Sequence, residues 1–384
     1  MADPAPAPAP VPALPNEEAL ARLRLLRSPN VGPVSYYQLL RRFGSAGEAI
    51  EALPGLAARG GAPYRPTDPA RIAAEAAAVR AAGARYLFHD SPTYSRLLAQ
   101  TDAPPPILTM RGDATLMERP AVALVGARNA SAAAMRLARE FAAALAEAGY
   151  AVVSGLARVV DAAVHRGALV GGTATSRGTG RGGGTIGVIA GGIDVCYPPE
   201  NADLQNQVAA EGLLLAEMPP GTEPQARHFP RRNRIIAGLC AGTVVVEAAP
   251  RSGSLITARI AGECGREIMA IPGSPLDSRS HGCNQLIRDG AILVQSPQDV
   301  IELLESYSGQ PRSVFHEPAV PEVPAGRDAH EPADVAGLLG TAPVAVDELV
   351  RLSQAPAGAV QLALIELELA GRLVRHAGGR VSLA

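Results

Sequence analysis

The chain has 384 residues, an apolar fraction of 47% and a formal net charge of −2. Its length predicts two or three domains with enough material for buried cores, and its charge excludes a global attraction for nucleic acid, so any basic surface must be local. All 35 cationic side chains are arginine, which excludes a Schiff base or a Walker-type loop but leaves bidentate phosphate contacts available.

The four cysteines, Cys196, Cys240, Cys264 and Cys283, stand far apart without a CxxC pair. This usage favours a reducing cytoplasm over a disulfide framework or a zinc site. Residues 1–15 alternate Pro and Ala and predict a disordered tail, with neither the charge nor the apolar run of a secretory signal. With no stretch long and apolar enough to span a membrane, we expect a cytoplasmic protein without a membrane partner.

Residues 16–104 have a helical pattern and are predicted to form a separate helical domain. The segment from Asn30 to Pro33 places a tight turn between two apolar-periodic stretches, and the segment from Leu53 to Leu56 predicts a second corner. Helix–hairpin–helix units of this kind bind DNA phosphates through loop amides. A small helical packing module explains the pattern equally well.

Residues 105–307 predict a doubly wound, mainly parallel α/β sheet, because short β-branched apolar runs alternate with helical stretches. The runs read VALVG, AVVSG, TIGVIA, LLLAE, TVVVEA, EIMAIPG and AILVQ. Runs of this length flanked by glycine are typical of buried parallel strands.

A Pro-rich linker is predicted over residues 308–331, followed by a winged helix over 332–384. Two helix patterns precede a segment in which Gly378 and Gly379 can turn a β-hairpin. The helix in the recognition position carries Glu366 and Glu368. Because phosphates repel such a face, we predict a protein-contact or structural role for it rather than reading of the DNA groove.

The motif VGARNAS predicts a strand, a glycine turn and a helix start. Gly126 permits close approach of a ligand, Arg128 projects beside it, and Ser131 is a good N-cap, so the free amides of the helix start form an anion site. Only the first glycine of a dinucleotide fingerprint is present. The alternative is an ordinary strand–helix turn with a surface arginine.

The motif VVSGLARVVDAAVH repeats this arrangement, with Ser154 and Gly155 at a strand end. Asp161 and His165 lie four residues apart, hence on one face of the following helix. Such a pair is either a general base with its orienting partner or, more often, a structural contact that pins the loop.

The motif HFPRRNRIIAG concentrates Arg231, Arg232, Asn233 and Arg234 beside Phe229. An aromatic ring beside several arginines suits a sugar-phosphate chain with an unstacked base. A solvated helix start is the alternative, but arginines at a helix N-terminus oppose the dipole unless an anion compensates them.

The motif EAAPRSGSLITA places Glu247 at a strand end and Ser252, Gly253 and Ser254 at a helix mouth, which predicts another phosphate cradle. Turns of this kind converge on the carboxyl edge of an open α/β sheet, where such folds bind ligands. The glycine-rich run from Gly171 to Gly184 predicts a mobile insertion. Such a run either contacts DNA, here through Arg177 and Arg181, or, more often, is a plain flexible segment.

In order and spacing these motifs, together with GVIAGGIDVCYPPEN, AIPGS and GCNQLIRDGA, resemble the DNA processing protein A (DprA/Smf) family across about half of the chain. The resemblance implies an extended Rossmann core that binds single-stranded DNA with little sequence preference, forms homodimers and helps to load the RecA recombinase during natural transformation. It also implies a sterile-alpha-motif-like N-terminal domain and a terminal winged helix, with no cofactor, metal or enzymatic activity.

The motifs and the resemblance together give one set of candidate residues. The expected DNA-binding residues are Gly126, Arg128, Ser131, Ser154, Gly155, Arg158, Tyr197, Phe229, Arg231, Arg232, Asn233, Arg234, Ser252, Gly253, Ser254 and Thr257. Asp161, His165 and Glu247 are expected to pin loops. Tyr197 and Phe229 are the stacking candidates, because aromatic residues make up only 3% of the chain and tryptophan is absent.

The chain departs from the family pattern at Val159 and Val160, where a Gly-Ile pair is usual, and we expect valine to forbid a positive φ there. Ala134 stands where glycine is common, and a lysine that contributes to DNA binding in some relatives is missing. The sequence leaves two rival functions open. One is a Rossmann-type nucleotide hydrolase, similar to phosphoribohydrolases, using Glu247 or Asp161; the other is a recombinase adaptor that works through the winged helix and residues 284–289.

Overall fold

The computed structural model describes residues 16–176, 183–306, 335–376 and 378–384. These residues form two compact units, one from the described residues between 75 and 314 and the other from the described residues before 75 combined with those after 314. The predicted tail 1–15, the whole of the predicted linker 308–331, and Arg177 and Arg181 lie outside the described residues.

Helices and strands alternate along most of the chain. The helices are α1 (Asn16–Arg27), α2 (Pro33–Phe43), α3 (Ala46–Arg59), α4 (Pro69–Ala81), α5 (Arg96–Ala99), α6 (Ala132–Glu147), α7 (Val160–Ser176), α8 (Ala202–Glu211), α9 (His228–Leu239), α10 (Gly253–Glu263), α11 (His281–Arg288), α12 (Pro297–Ser306), α13 (Val346–Ser353) and α14 (Ala357–Leu369). The strands are β1 (Arg85–Phe88), β2 (Ile107–Gly112), β3 (Ala121–Val125), β4 (Ala151–Ser154), β5 (Gly184–Gly192), β6 (Leu213–Met218), β7 (Gly242–Val245), β8 (Glu267–Ala270), β9 (Ile292–Leu293), β10 (Val344–Ala345), β11 (Leu373–His376) and β12 (Arg380–Leu383).

A nine-stranded sheet organises residues 75–314, in the order β1-β2-β6-β5-β4-β3-β7-β8-β9. All pairs from β6 to β9 are parallel, and three apolar clusters pack against its faces. The order reverses between β3 and β7, the kind of switch point at which doubly wound sheets bind ligands. The predicted Rossmann-like fold is confirmed.

One edge of this sheet differs from the prediction of a purely helical segment over residues 16–104. Strand β1 lies within that segment and pairs with β2 in antiparallel register, Leu87 opposite Leu108. Strand β2 in turn runs antiparallel to β6. Four residues, RYLF, are too few to show a period, and the alanine-rich helix before them dominates the pattern. The chain divides at residue 74 rather than at 104.

The corner predicted from Leu53 to Leu56 is wrong, because these residues lie inside α3. Pro54 has no N–H and would ordinarily break a helix. Here Leu53 and Leu56 are both buried in the apolar cluster of the N-terminal helices. Burial of these two side chains favours the continuous helix.

Helices α6 and α7 pack in direct backbone contact. A Cβ at Gly167 would lie 2.2 Å from the carbonyl oxygen of Arg139, and one at Gly171 would lie 2.1 Å from that of Ala143. Helix α7 continues to Ser176, so the segment predicted as a mobile insertion from Gly171 begins as helix. Its glycines there serve close packing rather than flexibility.

The second unit contains the N-terminal helices and a winged helix. In the winged helix, β10 comes first, α13 and α14 follow it, and the β11–β12 hairpin comes last. The three strands pair in the order β10-β12-β11. Gly378 and Gly379 turn the β11–β12 hairpin with φ values of 72° and 62°, as predicted. Within the described ranges no helix is both long and apolar enough to cross a bilayer.

Candidate nucleic-acid interface

Three side chains meet above the carboxyl ends of the parallel strands, and we call them the Arg128–Phe229–Tyr197 cluster. Arg128 follows β3, and its guanidinium carbon lies 4.7 Å from the ring centroid of Phe229, in the first turn of α9. Tyr197, after β5, packs edge-on against the same ring at 5.9 Å between centroids. Arg128 is exposed and forms no ion pair within the residues that the structure describes.

A narrow crevice opens beside this cluster. Tyr197 and Phe229 form its aromatic wall, and Tyr197 is 47% exposed. The other side is glycine-rich and apolar, with Gly191 and Pro224, and Arg232 lines it as well. A cation over a ring face, next to a second aromatic ring, suits a phosphate together with an unstacked base.

Arg232 was predicted to contact DNA but is buried, with 6% of its surface exposed. Its Nη1 donates to the carbonyl oxygens of Gly155, at 2.5 Å, and Val188, at 2.8 Å. Burial lowers the pKa of Arg232 to about 10, against the charge of Asp161, which raises it. Arg232 therefore stays charged at neutral pH and holds strands together from below the rim, as the alkyl stem and planar fork of arginine allow.

The Asp161–His165 pair does not form a catalytic dyad. Asp161 accepts a hydrogen bond from the Ala157 amide at 3.2 Å, so it pins the β4–α7 loop, and burial raises the pKa of its carboxyl group. His165 Nδ1 lies 2.7 Å from the Thr185 hydroxyl, which itself donates to Val152. Burial lowers the pKa of His165 to about 3, so it is neutral at physiological pH.

The anion site predicted at the start of α6 is already occupied by the chain itself. The Glu247 carboxylate accepts from the Ser131 amide at 2.9 Å and from its hydroxyl at 2.7 Å, while Ser131 Oγ accepts from Ala134 as the N-cap. Glu247 thereby ties the loop after β7 to the loop after β3, across the switch point. Ser131 is a positioning residue rather than a free phosphate donor.

The arginine run at α9 is also compensated partly from within. Glu217, at the end of β6, pairs closely with Arg234 and lies 3.9 Å from Arg231. The anion required by arginines at a helix start is thus supplied by the protein for Arg234. Arg231 is exposed, and its ion pair with Glu217 is the longer of the two. Arg158 forms an exposed ion pair with Glu200.

Several other candidates point inward, which corrects their assignment as direct contacts. Ser154 is fully buried and donates to the Leu124 carbonyl, and Gly155 leaves room for the Arg232 guanidinium, 1.7 Å from where a Cβ would stand. Gly126 makes the same kind of room for Val160. The remaining buried polar candidates are Asn233, Ser254 and Thr257. The exposed part of the second cradle is Gly253 and the partly exposed Ser252, whose hydroxyl pairs with that of Ser254.

The expectation that valine forbids a positive φ in the β4–α7 loop is wrong. Val159 adopts φ 66°, and Leu156 in the same loop adopts φ 55°. Left-handed backbone at a β-branched residue costs about 1–3 kcal/mol and persists only where the surroundings fix it. Here Asn201 fixes the loop, because its amide donates to the carbonyl oxygens of Leu156 and Ala157.

Sequence reasoning missed the partners that hold this site. Asn201, Glu217 and Thr185 bind the loop, the arginines and His165, respectively. Asn201 lies in the YPPEN segment that carries the family resemblance, and that segment was the available signal for it. Within the described ranges no group of His, Cys, Asp and Glu is arranged to hold a metal ion.

The chain matches family models over most of its length. The model of a family described as DNA recombination-mediator protein A matches residues 85–305, a DprA-like N-terminal HHH domain matches residues 16–78, and a DprA winged helix domain matches residues 318–379. Protein Smf of Synechocystis is 34% identical over 325 residues, covering 77% of this chain and 79% of the relative. DprA of Streptococcus pneumoniae is 45% identical over 201 residues, covering 52% and 67%.

Solved structures agree with these matches. The structure of S. pneumoniae DprA has a TM-score of 0.57 at 35% identity and covers 71% of this chain and 98% of that one. A Helicobacter pylori DprA structure, reported for its single-stranded DNA binding mode, has a TM-score of 0.51 at 25% identity and covers 58% and 96%. The sequence, the three domain matches and the fold together show that the chain belongs to the DNA processing protein A (DprA/Smf) family.

Proposed function

We propose that the chain binds single-stranded DNA with little sequence preference, through the rim that carries the Arg128–Phe229–Tyr197 cluster. The observation that supports this most directly is an exposed guanidinium that forms no ion pair among the described residues and is held over an aromatic ring at the switch point. The H. pylori relative was reported for its binding of single-stranded DNA. The cluster supplies one cation and two rings for a comparable contact here.

Sequence tolerance follows from the kind of contact that this rim offers. Guanidinium groups and peptide amides bind phosphate, which is the same at every nucleotide. An aromatic ring stacks on any base. The exposed candidates at the rim therefore supply contacts that do not discriminate between bases.

We further propose that the protein acts as a recombination mediator that helps to load RecA onto DNA, as a homodimer and without enzymatic activity. The family description supports the mediator role. Burial argues against the hydrolase alternative, because Asp161 and Glu247 are 6% and 7% exposed and both accept hydrogen bonds from the protein. A candidate acid or base must be able to reach its substrate.

Three measurements test these further proposals. RecA filament formation on DNA coated with this protein tests mediation, and light scattering tests the homodimer. Release of free base from nucleoside monophosphates would contradict the non-enzymatic assignment.

Arg128→Ala tests the DNA-binding proposal. We expect the affinity for oligonucleotides of different sequence to fall by about tenfold in each case, roughly 1.4 kcal/mol, because one phosphate contact is lost. The slope of log K against log salt should decrease by about 0.7. Both quantities are measured by fluorescence anisotropy titrations at several salt concentrations.

Arg259→Ala is the matched control, since Arg259 is an exposed arginine on α10 that pairs with Glu263 one turn away. We expect it to bind every oligonucleotide like the unmodified protein. Unchanged affinity in Arg128→Ala would overturn the assignment of the rim. A loss restricted to one oligonucleotide sequence would overturn sequence tolerance.

A further inference from the structure

Helix α14 of the winged helix is apolar on two faces, an arrangement typical of helices buried on both sides. Val360, Leu364 and Leu367 recur at helical spacing and pack into the core of the winged helix. A second set, Ile365 and Leu369, belongs to the apolar cluster formed by α1, α2 and α3. A helix that completes two cores has no apolar face left for another partner.

Polar contacts follow the same boundary. Glu366 accepts from Arg59 Nε at 2.5 Å, and Glu368 accepts from Ser35 Oγ at 2.5 Å and from Arg375 at 2.8 Å. Both carboxylates, which repel DNA phosphates, are thus satisfied by protein groups. The two ion pairs are partly buried, with only 9% and 14% of the glutamate side chains exposed, so removing one partner is costly.

The backbones also meet at this contact. A Cβ at Gly60, at the end of α3, would lie 2.1 Å from the carbonyl oxygen of Glu366 and 2.9 Å from Ala370 Cβ. Asn30, in the turn between α1 and α2, donates to the Leu369 carbonyl at 3.0 Å. Contacts this close require α14 to pack against the N-terminal helices in one defined position.

We infer that the N-terminal helical domain is the docking partner of the winged helix: α14 completes the core of α1–α3, the two segments fold as one cooperative unit, and α14 does not read duplex DNA. The position of α14 within the winged helix is the one that other winged helices place in the major groove. In this chain its exposed face is replaced by a protein interface. The inference is independent of single-strand binding at the sheet rim.

Gly60→Ala in the full-length chain is the direct test, with Gly55→Ala as its matched control. Gly55 lies inside α3, and Gly60 at its C-cap has a right-handed helical backbone with φ −72°. A Cβ at Gly55, unlike one at Gly60, meets nothing within 4 Å. We expect Gly60→Ala to accelerate amide hydrogen exchange at least tenfold in α14 and equally in α1–α3, with peptides of the nine-stranded sheet unchanged. Gly55→Ala should leave all exchange rates unchanged or slower.

Exchange that accelerates in α14 while α1–α3 stay protected would overturn the cooperative unit, and so would unchanged exchange in both. Affinity for a duplex oligonucleotide should stay within twofold in Gly60→Ala. A tenfold gain would show that α14 is a masked groove reader and would overturn the inference.

A charge exchange provides a second, independent test that keeps the backbone intact. Glu366→Arg places two arginines together, and we expect it to accelerate exchange in the same helices. The double variant Arg59→Glu with Glu366→Arg restores an ion pair and should return the rates to within threefold of the unmodified protein. Failure of the double variant to recover would overturn the role assigned to this pair.

Discussion

The carboxyl rim of the sheet has an exposed layer and a buried layer, and each contains an arginine beside Phe229. In the exposed layer, Arg128 lies 4.7 Å from the ring and forms no ion pair among the described residues. In the buried layer, Arg232 lies 5.9 Å from the same ring and donates to two carbonyl groups beneath it. The same residue type thus faces solvent in one layer and binds backbone in the other.

Burial accounts for the difference between the two layers. A guanidinium that leaves water must exchange its hydration for protein acceptors, and Arg232 obtains them from the carbonyl groups of Gly155 and Val188. The charge of Asp161 stabilises the buried cation as well. An exposed guanidinium keeps its donors for a ligand. The exposure of each arginine in the α9 motif therefore has to be known before that arginine is assigned as a DNA contact.

Arg232→Met should have the largest effect on stability and would break the buried layer. It removes the stronger of the two arginine charges that act on the Asp161 carboxyl and the donor shared by two carbonyl groups. We expect the free energy of unfolding to fall by roughly 3–5 kcal/mol. Urea denaturation followed by circular dichroism measures this. Arg128→Ala should change it by less than about 0.5 kcal/mol, and equal losses in the two variants would contradict the division into layers.

Acid should weaken the buried layer through His165. The pKa of His165 is about 3 in the folded protein because the ring is buried, against an ordinary value near 6.5. Between these pH values the unfolded chain binds the proton and the folded chain does not, so stability falls as pH decreases. We expect this residue to cost roughly 2 kcal/mol between pH 7 and pH 5.

His165→Gln removes this titration and isolates it from that of Asp161, whose raised pKa acts in the opposite sense as the pH falls. The difference in unfolding free energy between the two proteins should narrow from pH 7 to pH 5, as measured by urea titrations at each pH. A constant difference across this range would show that His165 titrates normally and is open to water.

Val159→Gly should have the smallest effect on the unfolding free energy. It bears on the comparison of the two layers because the β4–α7 loop, which contains Val159, connects them. Glycine adopts φ 66° without strain, and the gain exceeds the added entropy of the unfolded chain, so we expect stabilisation by roughly 1 kcal/mol. Val170→Gly is the control, since Val170 is exposed in α7, and it should lose roughly 0.5 kcal/mol. Thermal unfolding measures both; destabilisation by Val159→Gly would contradict strain at this position.

Much of the fold follows from local patterns in the sequence. The parallel strands are short apolar runs bounded by glycine, and this pattern predicted the central sheet correctly. The edge strand β1 was missed because four residues carry no measurable period. Helix α3 continued through Pro54 because burial of its neighbours outweighed a local signal.

The site was predictable only in part, for a physical reason. Strand ends identify which loops meet at a rim, and Arg128 and Phe229 do meet there. Sequence does not reveal exposure, so Arg232, Ser154 and Thr257 were grouped with residues that face solvent. Nor does it reveal distant partners such as Glu217 and Asn201, whose contacts depend on tertiary packing.

The shared core of α14 and α1–α3 has a consequence for the order of events during synthesis. Ile365 and Leu369 complete an apolar cluster whose other members include Leu25 and Leu56. At about 5–20 residues per second, the ribosome adds Ile365 and Leu369 roughly 15–60 s after Leu56. The N-terminal helices thus emerge first yet finish folding late, and ribosome-stalled chains that end before residue 357 should expose them to proteases.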